Sequence, residues 1–219
     1  MRAQVSLENV KKAAILLSDV ALKTPLMRNE NLAQKFSSNI VLKREDLQQV
    51  RSYKIRGAYN KIASLSQDQL NRGVVCASAG NHAQGVAFSC FKLKVKGVVF
   101  MPTPTPKQKI EQVKMFGGAF IEIVITGDTF DDASFSAKEY CADNKMSFVH
   151  PFDDEKVIEG QATIALEILE QSKDEIDYLF VPVGGGGVAA GISSIFNELS
   201  PNTKVIGVEP FGAPSMSTS

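Results

Sequence analysis

The stretch Tyr178–Phe196 reads YLFVPVGGGGVAAGISSIF, and it decides the fold class. An apolar run typical of a buried strand is joined by four glycines to a segment with helical spacing of its apolar residues. With 16 glycines in 219 residues, chance gives about 0.006 such runs in a chain of this composition. A strand–glycine–helix junction bares backbone N–H groups at a helix N-terminus, which suits a phosphate. The alternative is a flexible connection without a ligand.

On both sides of this junction, short apolar runs alternate with longer stretches of helical spacing. We predict strands at 39–43, 73–77, 96–101, 119–125, 147–149, 178–183 and 204–208. We predict helices at 6–20, 54–64, 82–93, 107–116, 129–143, 157–171 and 188–199, the first capped by Ser6. This alternation predicts an α/β protein with a mostly parallel sheet and helices on both faces. The Val- and Ile-rich strands show little alternation, which indicates burial on both faces.

The composition excludes several classes of function. Lys and Arg together number 24, as do Asp and Glu, so a balanced charge predicts no nucleic-acid partner and no anionic membrane surface as partner. No apolar run reaches the roughly 18 residues of a membrane span, and the polar start MRAQVSLENVKK lacks a signal-peptide core. Three widely spaced cysteines predict neither a disulfide framework nor a zinc site. We therefore expect a cytoplasmic protein.

A second junction, SAGNHAQG at Ser78–Gly85, also lies between a predicted strand and a predicted helix. Gly80 permits a tight turn, and Ser78, Asn81 and His82 offer small polar groups and N–H groups that suit a carboxylate at a helix N-terminus. The alternative is plainer, since Ser and Asn at a helix start commonly act as caps. A single histidine such as His82 is more often structural than catalytic.

A third segment, RSYKIRGAYN at Arg51–Asn60, contains Lys54 near a predicted helix start. Most lysines are solvated surface charges. Positive charge from Arg51 and Arg56, together with partial burial, would lower the pKa of Lys54 and free its amine as a nucleophile.

These three segments, in this order, resemble the fold type II pyridoxal-phosphate enzymes, and most of all their threonine dehydratase (threonine ammonia-lyase) group. Three further stretches fit the same group, namely VLKREDLQ at 41–48, TGDTFDDA at 126–133 and IGVEP at 206–210. The resemblance runs from about residue 6 to the end of the chain. It implies a tryptophan synthase β-like fold with two open parallel-sheet domains that carry helices on both faces.

The resemblance also implies a domain division and a length. The larger, cofactor-binding domain would comprise 1–50 plus 155–219, and the smaller domain, 51–154, would be inserted into it. Members of the family are longer, so we expect the larger domain to be incomplete at its C-terminal end. The missing part would include the Ser or Cys that contacts the pyridine nitrogen, and we expect little or no activity from this chain alone.

The resemblance assigns roles to individual residues. Lys54 would hold pyridoxal 5′-phosphate as a Schiff base and move the substrate proton, and Asn81 would bond the 3′-oxygen of the cofactor. The phosphate would be wrapped by Gly184, Gly185, Gly186, Gly187 and Val188. The substrate carboxylate would be held by Ser78, Gly80, Asn81 and His82.

The implied reaction converts L-threonine to 2-oxobutanoate and ammonia, the first step of isoleucine biosynthesis, in a homo-oligomer. One alternative is a catabolic serine/threonine dehydratase or a serine racemase. Racemases have a serine where this chain has Ala79, which cannot donate a proton, so elimination is favoured. They also use an acidic pair for a divalent metal, where this chain has Glu209 and Ser215, so we expect no metal.

Two readings from other classes stay open. The first is a non-catalytic fragment whose exposed apolar edge makes it unstable or drives association. The second is a dinucleotide-binding protein. Glu209 lies 22 residues after Gly187, where such proteins place an acidic residue, but the G-x-G-x-x-G spacing is absent.

Overall fold

The computed structural model describes residues 5–217, in which strands and helices alternate along the chain. The helices are α1 (Leu7–Leu17), α2 (Glu30–Phe36), α3 (Lys54–Ala63), α4 (Gln67–Arg72), α5 (Asn81–Leu93), α6 (Lys107–Gly117), α7 (Phe130–Asp143), α8 (Glu155–Gln171) and α9 (Gly187–Leu199). The strands are β1 (Leu26–Arg28), β2 (Val41–Lys43), β3 (Val74–Ala77), β4 (Gly97–Met101), β5 (Ile121–Ile125), β6 (Ser147–Phe148), β7 (Tyr178–Pro182) and β8 (Lys204–Val208). Short 3₁₀ helices cover Glu45–Leu47 and Gly118–Phe120.

Most predicted elements are present, and three short ones escaped prediction. Strand β1 and helices α2 and α4 have three, seven and six residues, too few to show a period clearly. Ser6 caps α1 as predicted, since its hydroxyl accepts from the Asn9 N–H. That helix ends at Leu17 rather than at residue 20.

The largest sheet has four parallel strands in the order β5-β4-β3-β6. Every residue of β3 and β4 is buried, as the unbroken Val-rich runs predicted. Val74 and Val99 face a cluster built with α5 and α6, whereas Val75 and Val98 face α7. Helices therefore cover both faces of this sheet.

The second parallel sheet pairs β7 with β8, and its burial differs from the prediction. Val181 faces the cluster that contains residues of α8 and α9. The opposite face exposes Phe180, Ile206 and Val208 to solvent. The predicted burial of both faces is therefore wrong for this pair, because helices within residues 5–217 cover only one of its faces. A third sheet, β1-β2, is antiparallel and small.

Close packing of α3 on α8 positions the residues discussed below. A Cβ atom added to Gly57 would lie 2.7 Å from the Val157 carbonyl oxygen, and one added to Gly160 would lie 2.6 Å from the Arg56 carbonyl oxygen. Neither helix can carry a side chain at these points, so their backbones touch. The division into 51–154 and the remainder stays a prediction. Within residues 5–217, no helix is long and apolar enough to cross a membrane.

Candidate active site

Lys54 is the first residue of α3, and its amine is turned inward. The Nζ atom donates a 2.6 Å hydrogen bond to the carbonyl oxygen of Pro151. Burial lowers the pKa of Lys54 from 10.5 to about 8. At pH 7.5 about one amine in four is then neutral, against about one in a thousand for an ordinary lysine. The environment prepares Lys54 to act as a nucleophile or a base.

Of the two predicted causes of this pKa shift, burial is confirmed and the neighbouring positive charge is not. Burial accounts for it, but Arg56 does not, because its guanidinium is turned away into a buried ion-pair network. Arg56 binds Glu45 at 2.8 Å and Glu167 at 2.6 Å, and its side chain is only 1% exposed. Arg56 therefore ties α3 to the 3₁₀ turn at Glu45–Leu47 and to α8, which places Lys54 without contacting it.

The four glycines lie between β7 and α9, with Gly186 as the N-cap of α9 and Gly187 as its first residue. Gly186 has a φ of 83°, a left-handed conformation that favours glycine. A Cβ on Gly187 would lie 2.6 Å from the Phe152 carbonyl oxygen, and one on Gly185 would overlap the Phe152 ring. A Cβ on Gly184 would meet nothing within 4 Å. The loop therefore packs on Phe152 at one side and faces open space at the other.

Lys54 and the glycine loop border one cleft of about 190 Å³. Its lining residues are Tyr53, Lys54, Pro151, Phe152, Gln161, Gly184, Gly185, Gly186, Gly187 and Val188. The first N–H groups of α9 have no acceptor within the helix and point toward its N-terminal end. The cleft therefore combines N–H donors with a reactive amine, a set that fits an aldehyde carrying a phosphate.

The loop between β3 and α5 contains the residues predicted to hold a carboxylate. Gly80 precedes α5 and no side chain caps this helix, so the simpler interpretation of Ser78 and Asn81 as caps is wrong. Ser78 instead accepts from the Gly80 N–H at 3.1 Å. A Cβ on Gly80 would meet nothing within 4 Å, which leaves the helix start open to a ligand.

The ring of His82 is buried and bonds to the backbone of the protein. Its Nε2 lies 2.9 Å from the Val149 carbonyl oxygen, which can only accept, so Nε2 carries the proton. Burial lowers the pKa of His82 to about 3, so the ring is neutral. Its Nδ1 then has no proton to donate. Of the groups of His82, only the backbone N–H can therefore donate to a substrate carboxylate, the role predicted for this residue.

The segment Val149–Phe152 connects these features, and the sequence did not suggest any role for it. Val149 accepts from His82, Pro151 accepts from Lys54, and Phe152 supports the glycine loop. Two of these contacts use backbone carbonyls, which leave no mark in a sequence. One signal was present: the segment follows a strand of a parallel sheet, and ligands bind at that end of such strands.

The predicted loops are not all brought into one cleft. Ser78, Gly80, Asn81 and His82 do not line the cleft that contains Lys54 and the glycines. The two parts adjoin, however, because a Cβ on Gly85 of α5 would lie 2.9 Å from the Lys54 carbonyl oxygen. The start of α5 and the start of α3 are therefore neighbours.

Glu209 has a local structural role. Its carboxylate accepts from the Met216 N–H at 2.7 Å and the Ser217 N–H at 3.0 Å. These backbone donors, that of Met216 foremost, lower the pKa of Glu209. In residues 5–217, no three His, Cys, Asp or Glu side chains are grouped to hold a metal ion.

Comparison with protein families gives one family for most of the chain. The model that describes pyridoxal-phosphate dependent enzymes matches residues 17–219. L-threonine dehydratase biosynthetic IlvA of Halalkalibacterium halodurans is 52% identical over 216 residues, which is 99% of this chain and 52% of that protein. The protein of the same name from Bacillus subtilis is 53% identical over 211 residues, covering 96% of this chain and 50% of that protein. The chain thus spans about half the length of these relatives.

Solved structures agree with the sequence comparison. The processed form of threonine deaminase isoform 2 from Solanum lycopersicum has a TM-score of 0.89 and 43% identity, covering 98% of this chain and 63% of that one. Serine racemase from Dictyostelium discoideum has a TM-score of 0.88 and 33% identity, covering 96% of this chain and 67% of that one. The backbone alone does not separate a deaminase from a racemase.

Proposed function

The chain belongs to the pyridoxal-phosphate-dependent enzymes and has their fold type II architecture, and from that premise we propose that it carries the catalytic site of a biosynthetic threonine dehydratase. The proposed reaction converts L-threonine to 2-oxobutanoate and ammonia. We propose it for a protein that contains this site, since the chain spans about half of its relatives. A homo-oligomer in the cytoplasm belongs to the same proposal.

One observation carries the proposal. The partly neutral amine of Lys54 and the N–H groups of the glycine loop border the same cleft. An aldehyde would react with the amine, and a phosphate on the same ligand would be held at the start of α9. A Rossmann dinucleotide site would have no use for a buried lysine at this point, so the geometry favours the pyridoxal cofactor.

Each residue has a definite task in the proposed reaction. Lys54 would hold the cofactor through its aldehyde, and its amine, once free, would be the base that accepts the substrate α-proton. The Pro151 carbonyl accepts from Nζ and orients the amine. When bound, the cofactor supplies a ring that accepts the electron pair left on the α-carbon. Over the whole reaction the substrate would lose its α-proton and its β-hydroxyl together as one water, and a second water would replace the amine, which leaves ammonia and the 2-oxo acid.

The loop at the start of α5 is proposed to orient the substrate. The backbone N–H groups near Gly80, Asn81 and His82 would bind the carboxylate, with the Ser78 hydroxyl beside them, and the Asn81 side chain would reach the 3′-oxygen of the cofactor. Ala79 in this loop has no proton to give. A second proton donor, which racemisation requires on the opposite face of the substrate, is therefore missing here, and this favours elimination.

The test is the absorption spectrum of the purified protein with pyridoxal phosphate. We expect a visible band from cofactor joined to an amine, which Lys54→Ala abolishes. Lys61→Ala is the matched control, because Lys61 lies on the same helix but pairs with Asp154 outside the cleft, and it should keep the band. Folded protein without the band would refute the proposal. Release of 2-oxobutanoate from threonine, assayed in a chain as long as the relatives, tests the substrate.

A further inference from the structure

Gln161 on α8 is a buried polar side chain that the roles above do not explain. The residue is 1% exposed. Its Oε1 accepts from the Gly57 N–H at 3.3 Å, whereas its Nε2 has no hydrogen-bond partner among the described residues. A buried donor without an acceptor costs stability, so its persistence calls for an acceptor that the protein itself does not supply.

The orientation of this amide is set by its neighbour. The Gly57 N–H can only donate, so the oxygen of Gln161 must face it, and the NH₂ group is the free end. Space at this contact is tight, since a Cβ on Gly57 would overlap the Gln161 Nε2 and lie 2.8 Å from its Cδ, so Nε2 is buried against Gly57.

The position of Gln161 indicates which kind of acceptor it meets. Gln161 lines the cleft together with Lys54 and the four glycines. The N–H groups of the loop and Nζ of Lys54 are donors in this cleft, and Gln161, another lining residue, adds a buried Nε2 that has no acceptor among the described residues. A wall made of donors fits an anion with several acceptor oxygens. Within residues 5–217, two other buried polar atoms lack partners, Ser52 Oγ and His82 Nδ1, but neither residue lines this cleft.

We propose that the Nε2 of Gln161 donates a hydrogen bond to the phosphate of bound pyridoxal phosphate, as a side-chain complement to the backbone N–H groups of the glycine loop. This inference rests on the proposed function. Since the same amide accepts from Gly57, three residues after Lys54, it joins the phosphate end of the cleft to the helix that carries the reactive amine.

The experiment compares two ligands that differ only in the phosphate. Equilibrium dissociation constants for pyridoxal phosphate and for pyridoxal are measured by absorbance titration of the wild type, Gln161→Leu and Gln161→Glu. We expect Gln161→Leu to weaken pyridoxal phosphate about tenfold and pyridoxal less than about twofold. Gln161→Glu should weaken pyridoxal phosphate further, because its carboxylate still accepts from Gly57 but repels the phosphate. Equal losses for both ligands, or no loss, would overturn the inference.

Gln48→Leu is the matched control for loss of a buried amide. Gln48 is 2% exposed, and its Nε2 already donates to the Leu22 carbonyl outside the cleft. This variant should lose stability while leaving the preference for the phosphorylated ligand unchanged. If the wild type itself binds no pyridoxal phosphate, the proposed function fails, which is a different result from a loss confined to Gln161 variants.

A second measurement does not depend on how the variants fold. In ¹H–¹⁵N spectra of the wild type, the side-chain NH₂ signals of Gln161 should move when pyridoxal phosphate is added and move less with pyridoxal. Signals that respond alike to both ligands, or to neither, would contradict the proposed bond.

Discussion

The two parallel sheets carry similar loops but are supported differently. In the four-stranded sheet all five residues of β4 are buried, whereas in the β7–β8 pair Val181 is the buried residue of β7. Yet a loop suited to a ligand follows a strand in both, the Ser78–Gly85 loop after β3 and the glycine loop after β7. The glycine loop is held instead by Phe152 beneath it and by α9 packed on α8. A binding loop thus needs a rigid support at the strand end rather than a fully covered sheet.

The uncovered face of the β7–β8 pair is apolar. Its exposed large side chains are Tyr178, Phe180, Ile206 and Val208. Strand registers place Phe180 beside Ile206 and Pro182 beside Val208, so these side chains form one continuous patch. Strands β3 and β4 expose no such patch. Substitutions in the two sheets should therefore differ in their effect on stability.

The largest expected effect is at the junction between the regions, where α3 meets α8. Arg56→Met removes the buried cation from Glu45 and leaves Glu167 with Lys43 alone, and we expect a loss of about 3–5 kcal/mol in the free energy of unfolding. Urea denaturation measures it. Lys12→Met removes an exposed pair with Glu8 and should leave the free energy of unfolding nearly unchanged, because solvent screens that pair. Similar losses for the two variants would show that the network does not hold the regions together.

The next effect contrasts the two sheets directly. Met101 on β4 is fully buried, so Met101→Ala should cost about 3 kcal/mol through lost contacts and a cavity. Phe180 on β7 is 64% exposed, so Phe180→Ala should cost less than about 1 kcal/mol. The same denaturation experiment compares them. A cost at Phe180 as large as at Met101 would mean that the apolar patch is covered in solution.

A smaller effect on stability is expected within the glycine loop, where one glycine packs on Phe152 and another faces open space. Gly187→Ala pushes a methyl group into the Phe152 backbone, and we expect a loss of about 2 kcal/mol in stability, with weaker cofactor binding. Gly184→Ala places its methyl group in open space and should leave stability within about 0.5 kcal/mol. Thermal unfolding without ligand distinguishes them, and equal destabilisation would contradict the packing described for this loop.

The pH dependence of Lys54 gives the most gradual effect. Because burial lowers the pKa of Lys54 to about 8, its neutral fraction increases as the pH rises through 8, rather than through 10.5. The rate of reaction with pyridoxal phosphate should follow that neutral fraction and level off above pH 9. N-acetyl-lysine amide, the exposed reference amine, should keep gaining reactivity to higher pH. Parallel profiles would show that Lys54 is not buried in solution.

Local sequence patterns predicted the junctions that carry the site, but not the contacts that join them. The strand, the glycines and the helix around Gly184 are all present, because each is encoded by neighbouring residues. The ion-pair partners of Arg56 come from 11 and 111 residues away, so the sequence alone suggested that its charge would act on Lys54. The uncovered face of β7 was equally hidden, because a Val- and Phe-rich strand has the same composition whether or not a helix covers it.

The role of Val149–Phe152 shows a second limit. Its carbonyls accept from Lys54 and His82, and any residue type could supply a carbonyl at those positions. Similarly, nothing in the sequence reveals that His82 uses Nε2 to bond the backbone and thereby loses its ring as a donor. Contacts made by the backbone become visible only when the chain is folded.

The central claim is that the buried amine of Lys54 is where the cofactor attaches. The direct measurement is to mix the protein with equimolar pyridoxal phosphate at pH 8, reduce it with borohydride, and locate the pyridoxyl group by peptide mass spectrometry. We expect a single major modified peptide that carries Lys54, and its loss when excess inorganic phosphate competes for the glycine loop. A label spread over exposed lysines, or one at Lys54 that phosphate does not affect, would contradict it.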